Sequence, residues 1–106
     1  MILIVVKFTT KPEHTEAWPE LVADFTAATR AEPGNLFFEW SRSLEEPDTF
    51  VLVEAFTDEG AEPHVASAHF AKAMVDMRPA LARTPKIISR QVDGAGWEPM
   101  GELAID

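Results

Sequence analysis

Two glutamates stand inside otherwise apolar runs, Glu39 in Leu36-Phe-Phe-Glu-Trp40 and Glu54 in Phe50-Val-Leu-Val-Glu-Ala-Phe56. A carboxylate in such surroundings costs free energy unless a partner or a reaction uses it. If the intervening turn pairs Leu44 with Thr49, the hairpin register sets Glu39 opposite Glu54, on one face with Phe37, Leu52 and Phe56. Two carboxylates about 5 Å apart at an effective dielectric near 20 repel by about 3 kcal/mol, enough to keep one protonated near neutral pH. Such a pair can act as a general base. It can equally be structural, bridged by Arg42, Arg90 or a histidine, because ion-pair networks also perturb pKa values.

The other candidate groups are His64 and His69, in His64-Val-Ala-Ser-Ala-His69-Phe70. They flank a predicted break between two short helices, where a pocket can open beside a sheet. Acid/base or substrate hydrogen-bonding work suits them, and so does a plain cap or core hydrogen bond. A spacing of five does not put both rings on one helical face, and no cysteine accompanies them, so neither a metal site nor a cofactor is predicted. His14, at a predicted helix start, is expected in solvent. Ser41 and Ser67 have no base at triad spacing, which disfavours a hydrolase. None of the five glycines forms a phosphate-binding loop.

These residues need elements to hold them. Met1 to Thr9 is a continuous β-branched run, expected as a central strand buried on both faces. Trp18, Leu21, Val22, Phe25 and Ala28 recur at helical spacing from about His14 to Glu32, with Thr15 as N-cap and Pro33-Gly34 as the stop. Strands follow at roughly Asn35 to Ser43 and Thr49 to Thr57, joined by a turn. Asp58 can cap a short helix through Val65. Ser67 can cap a second, in which Phe70, Met74, Met77 and Leu81 share a side and Pro79 ends the regular part. The methionines there are expected in the core. A strand from about Thr84 to Val92 leads into a docking tail, 93–106.

The order β-α-β-β-α-β predicts an α+β fold with a ferredoxin-like four-stranded antiparallel sheet and both helical segments on one face. One domain, 1–106, fills the length. The strands are apolar on both sides, so the second face needs a cover. A second copy of the sheet, giving a homodimer with more than roughly 2,000 Å² buried, is the favoured cover, with the tail as its rival. Under the assumed register Phe38, Trp40, Val51 and Val53 face that partner.

With nine basic against eighteen acidic residues, the net charge of −9 repels phosphate backbones and anionic lipid, so neither nucleic acid nor membrane is an expected partner. The apolar N-terminus lacks a basic leader and is too short to span a bilayer. Without cysteine, a cytoplasmic location is expected.

Glu32-Pro-Gly-Asn35, Glu39, Glu54-Ala-Phe56 and His64-Val-Ala-Ser-Ala-His69-Phe70 together resemble the antibiotic biosynthesis monooxygenase family of dimeric α+β barrel proteins, over Met1 to about Val92. The resemblance implies a monooxygenase, an oxidoreductase that oxidises small electron-rich aromatics of the quinol or anthrone type with O2 and no cofactor. Within it His69 and Glu54, then His64 and Glu39, are the candidate bases, and Phe37, Phe56 and Phe70 the candidate lining of an aromatic slot. Haem-degrading relatives resemble this chain less: no asparagine precedes Asn35, and Met74 stands where their axial histidine would be. The absence of tyrosine excludes mechanisms that rely on a phenol. The alternative is a non-catalytic dimeric ligand-binding or stress-related domain.

Overall fold

The computed structural model describes residues 1–106. Strands β1 (Ile2–Thr9), β2 (Asn35–Arg42), β3 (Thr49–Phe56) and β4 (Lys86–Gln91) form one antiparallel sheet in the order β2-β3-β1-β4. The two most apolar strands, β1 and β3, take the centre. Helices α1 (Trp18–Leu21), α2 (Ala23–Arg30), α3 (Ala61–Val65) and α4 (Ala68–Met77) complete the chain order. This is the ferredoxin-like α+β arrangement that the order of elements predicts.

The first helical stretch is broken where one continuous helix was expected. A short 3-10 turn covers Pro12–His14, and regular helix starts only at Trp18, with Pro19 in its first turn. Proline is tolerated there, whereas a helix begun at Thr15 would drive its ring into the carbonyl one turn back. Thr15 is therefore not the N-cap of this helix. Its hydroxyl lies against Thr10 and donates to Asp48. Further on, Asp58 caps no helix, and α3 starts after Gly60. Ser67 does cap α4, accepting from the Phe70 amide at 3.2 Å.

The core lies between the sheet and the helices. Phe8, Trp18, Phe25, Phe38, Phe50, Leu52 and Met77 are buried there, and Trp40 and Phe70 pack against them. Met77 is core as expected, whereas Met74 is more than a third exposed. Trp40 donates from Nε1 to the Thr26 hydroxyl at 2.9 Å, so it belongs to this layer and not to the opposite face.

That relocation follows from the register. The hairpin closes on Ser43 and Thr49 (Ser43 N to Thr49 O, 2.9 Å), with five residues between them and Asp48 in the left-handed region at φ 55. The expected pairing of Leu44 with Thr49 is thus off by one, and a one-residue slip moves every β2 side chain to the other face. Phe38 pairs with Glu54, Glu39 with Val53 and Trp40 with Leu52. Glu39 and Phe37 consequently lie on the open face, with Leu3, Val5, Val51 and Val53. There the tail meets them: Trp97 packs on Phe37 at 5.4 Å and donates from Nε1 to Glu39 Oε2 at 2.8 Å. The tail covers only this corner. Trp97, Met100, Leu103 and Ile105 stay exposed, as do Ile87 and Ile88 on β4. No helix is long and apolar enough to cross a membrane.

Candidate active site

On the covered face, Glu54 sits between Ile4 and Phe38 of the neighbouring strands, 5% exposed. Above it are the two short helices that carry the histidines. Because α3 ends at Val65 and Ser67 restarts the chain as α4, the five-residue spacing does not act along one helix. Both rings turn toward a single carboxylate.

That carboxylate is Glu32. Its Oε2 lies 2.8 Å from His64 Nδ1 and takes a very short contact from His69 Nε2. Glu32 Oε1 is buried with no protein partner. His64 Nε2 looks the other way, at Glu54 Oε1, 3.8 Å distant. The four groups form a chain, Glu54, His64, Glu32, His69, running from the sheet toward the surface, with His64 buried and His69 partly exposed. One imidazole nitrogen from each histidine and one Glu32 oxygen lie within 4.8 Å of one another. In space the histidines thus have the third clustered partner that their sequence spacing does not reveal.

Two glycines bring Glu32 to this position. A Cβ on Gly34 would lie 2.6 Å from the Gly60 Cα, and one on Gly60 would lie 2.8 Å from the Gly34 Cα, both closer than side-chain carbon tolerates. The loop after α2 and the loop before α3 therefore meet backbone to backbone, tied by Thr57 N to Gly34 O at 2.8 Å. Glu32 is the member of the cluster that residue-type reasoning passes over. A signal was present, since an acidic side chain just past a helix C-terminus faces the negative end of the dipole and calls for a compensating partner.

Burial pushes the Glu54 carboxyl up to about 7, and the nearby Glu32 charge adds to the rise. The expected carboxylate pair of Glu39 with Glu54 therefore does not form. Glu54 is paired with Glu32 through His64, and Glu39 lies on the far side of the sheet.

Aromatic rings enclose the chain of groups. Phe56, fully buried, lies 4.6 Å from His64 ring to ring, Phe70 5.2 Å and Phe25 5.8 Å. Of the three expected slot residues, Phe56 and Phe70 are beside the histidines and Phe37 is not. Phe25 takes its place. His69 opens on a cavity of about 170 Å³ lined by Leu21, Asp24, Phe25, Ala28, Lys72 and Asp76. A larger cavity, about 590 Å³, lies elsewhere, between Trp18, Val22, Arg30, Trp40, Arg42 and Phe50. It contains none of the four clustered groups. His14 is half-buried, in the first 3-10 turn, and outside both cavities.

Residues 1–76 match the family model described as antibiotic biosynthesis monooxygenase. The Bacillus subtilis (strain 168) protein called "Putative monooxygenase YcnE" is 32% identical over 71 residues, 66% of this chain and 75% of that one. Among solved structures, a Nitrosomonas europaea protein bearing the same family name is 28% identical with a TM-score of 0.79, over 87% of this chain and 98% of its own. A Deinococcus radiodurans structure at 22% identity shares the fold with a TM-score of 0.81, over 95% of this chain and 100% of its own. The family match spans the sheet strands β1 to β3 and all four residues of the Glu-His chain, and this chain belongs to the antibiotic biosynthesis monooxygenase family.

Proposed function

We propose that this chain is a cofactor-independent monooxygenase of small electron-rich aromatics, and that Glu32, His64, His69 and Glu54 are its proton-handling groups. The observation that carries the reading is the single Glu32 oxygen shared by both histidines. When His69 donates its Nε2 proton to Glu32, its Nδ1 keeps the lone pair, and the carboxylate fixes the tautomer that can accept a proton there. A substrate hydroxyl in the adjoining cavity gives its proton to Nδ1, and Glu32 stabilises the resulting imidazolium. Phe25 lines that cavity beside His69, and Phe56 and Phe70 pack on His64 behind it.

The deprotonated substrate then reacts with O2 directly. For a hydroquinone, a ring C–H bond breaks and a C–O bond forms. One oxygen atom stays as the new hydroxyl of a hydroxyquinone and the other leaves as water. The substrate supplies all four electrons, two from the C–H bond that becomes C–O and two from conversion of the quinol to the quinone. An anthrone methylene balances likewise, becoming a carbonyl with release of water. The 170 Å³ cavity is smaller than the roughly 300 Å³ at the low end of ordinary ligand sites, which favours a single-ring quinol over a tricyclic anthrone.

Oxygen uptake by the chelator-treated protein, measured against a panel of hydroquinones and anthrones, tests the reading. Uptake is expected to be fastest with monocyclic quinols. A rate no higher than the spontaneous one across the whole panel overturns it.

One observation favours the alternative of ligand binding without turnover, namely the larger cavity remote from the Glu-His chain. Thermal stabilisation by aromatics that are not consumed is its signature. Under either reading the apolar strip Leu3, Val5, Val53 and Ile88 on the open face is best used as the contact between two copies, in a protein resident in the cytoplasm. A solution mass near that of one chain, 11.8 kDa, would contradict the dimer.

A further inference from the structure

We propose that Glu32 Oε2, His64 Nδ1 and His69 Nε2 form a binding site for one divalent transition-metal ion of the zinc or cobalt class. The three atoms come from the segment after α2, from α3 and from α4, and they already lie within 4.8 Å of one another. Ligands of one tetrahedral ion at bond lengths of about 2.0–2.2 Å are separated by distances of the same order, so the site needs small side-chain adjustments only. The ion takes the place of the protons that now join both imidazoles to the carboxylate, and each imidazole keeps its proton on the ring nitrogen that does not face the ion.

The donor set selects the metal. Two imidazole nitrogens with one carboxylate suit zinc, cobalt, nickel or copper(II), whereas magnesium and calcium require a shell made mostly of oxygen. Three protein ligands leave a fourth position for water or another small ligand. Outer groups fit as well. A metal-bound histidine commonly directs its other ring nitrogen at a carboxylate, and His64 Nε2 faces Glu54 Oε1 at 3.8 Å. Glu32 Oε1, buried without a protein partner, offers lone pairs that a cation beside Oε2 would draw on. The partly exposed His69 gives the entry route, and the net charge of −9 raises the local concentration of cations.

Metal and the proposed base are exclusive occupants. With Nε2 on the ion, His69 carries its proton on Nδ1 and cannot accept another. Binding itself does not depend on whether the site turns over substrate.

The test uses the full chain stripped with chelator, titrated with Zn²⁺ by calorimetry and with Co²⁺ by visible absorption. One ion per chain is expected. Glu32→Gln and His69→Ala should each weaken binding by at least about tenfold, and Glu54→Gln by about 10–100-fold as an outer-shell change. His14→Ala should leave it unchanged. Circular dichroism establishes that each variant is folded. No saturable binding at one ion per chain, or wild-type affinity in folded Glu32→Gln and His69→Ala, would overturn the proposal.

Discussion

Glu54 and Glu39 are the same side chain on adjacent strands, one register step apart, and the two faces of the sheet treat them in opposite ways. On the helix face Glu54 is enclosed by Ile4, Phe38 and the His64 ring, and its carboxyl is pushed up to about 7. On the open face Glu39 is exposed and accepts a hydrogen bond from Trp97 of the tail. A carboxylate becomes chemically unusual through what encloses it and which charges face it, and the strand sequence around it supplies neither.

The sharpest way to break the contrast is to remove the group that links the helix-face cluster. Glu32→Gln should lower oxygen uptake with a responsive quinol by at least about 10²-fold, the low end of what general-base catalysis contributes, because His69 loses the carboxylate that backs it, in a protein that stays folded by circular dichroism. Glu39→Gln should leave that rate within about twofold.

A second prediction concerns pH. The folded-state pKa of Glu54 is raised from 4.5 to about 7, so the folded state holds this proton more tightly than the unfolded chain does. The resulting stabilisation is fully present below pH about 4.5. It is lost as pH rises to about 7, a change of about 3 kcal/mol at roughly 1.4 kcal/mol per pH unit. Denaturant unfolding of metal-free wild type and Glu54→Gln across this range should give a difference that grows in favour of the variant and then levels off. A difference that does not vary with pH would contradict the raised pKa.

On the open face, Val53→Asp puts a charge at the centre of the apolar strip. It should shift the solution mass from that of two chains to that of one, read by light scattering. The smallest effect is expected from Trp97→Ala, which removes one ring contact and one exposed hydrogen bond. A loss of about 0.5–1.5 kcal/mol in denaturant unfolding, with the quinol rate unchanged, would keep the tail apart from the chemistry.

The sheet was legible from sequence because β-branched runs, Pro33-Gly34 and the turn residues act locally. The histidines were legible as a pair at a helix break, and Ser67 as the cap that restarts the chain beside them. The hairpin register was not, because it turned on one residue: with Asp48 in the left-handed region, the closing pair became Ser43 and Thr49, and Glu39 changed faces. Glu32 stayed hidden for a different reason. It joins the site through a loop-to-loop approach more than twenty residues apart in sequence, which no local period records.

That approach, Gly34 against Gly60, also makes the assembly of the site observable. The Thr57 amide is bonded to the Gly34 carbonyl across the seam, so it can exchange with solvent only when the two loops part. A parting that carries Glu32 away from His64 and His69 while the ladder of β1 and β3 stays closed would be a local opening and not a global one, seen as Thr57 exchange faster than that of the central strands. The hydrogen-exchange rate of one backbone amide, compared with those of the central strands, thus reports how often the site comes apart and reforms.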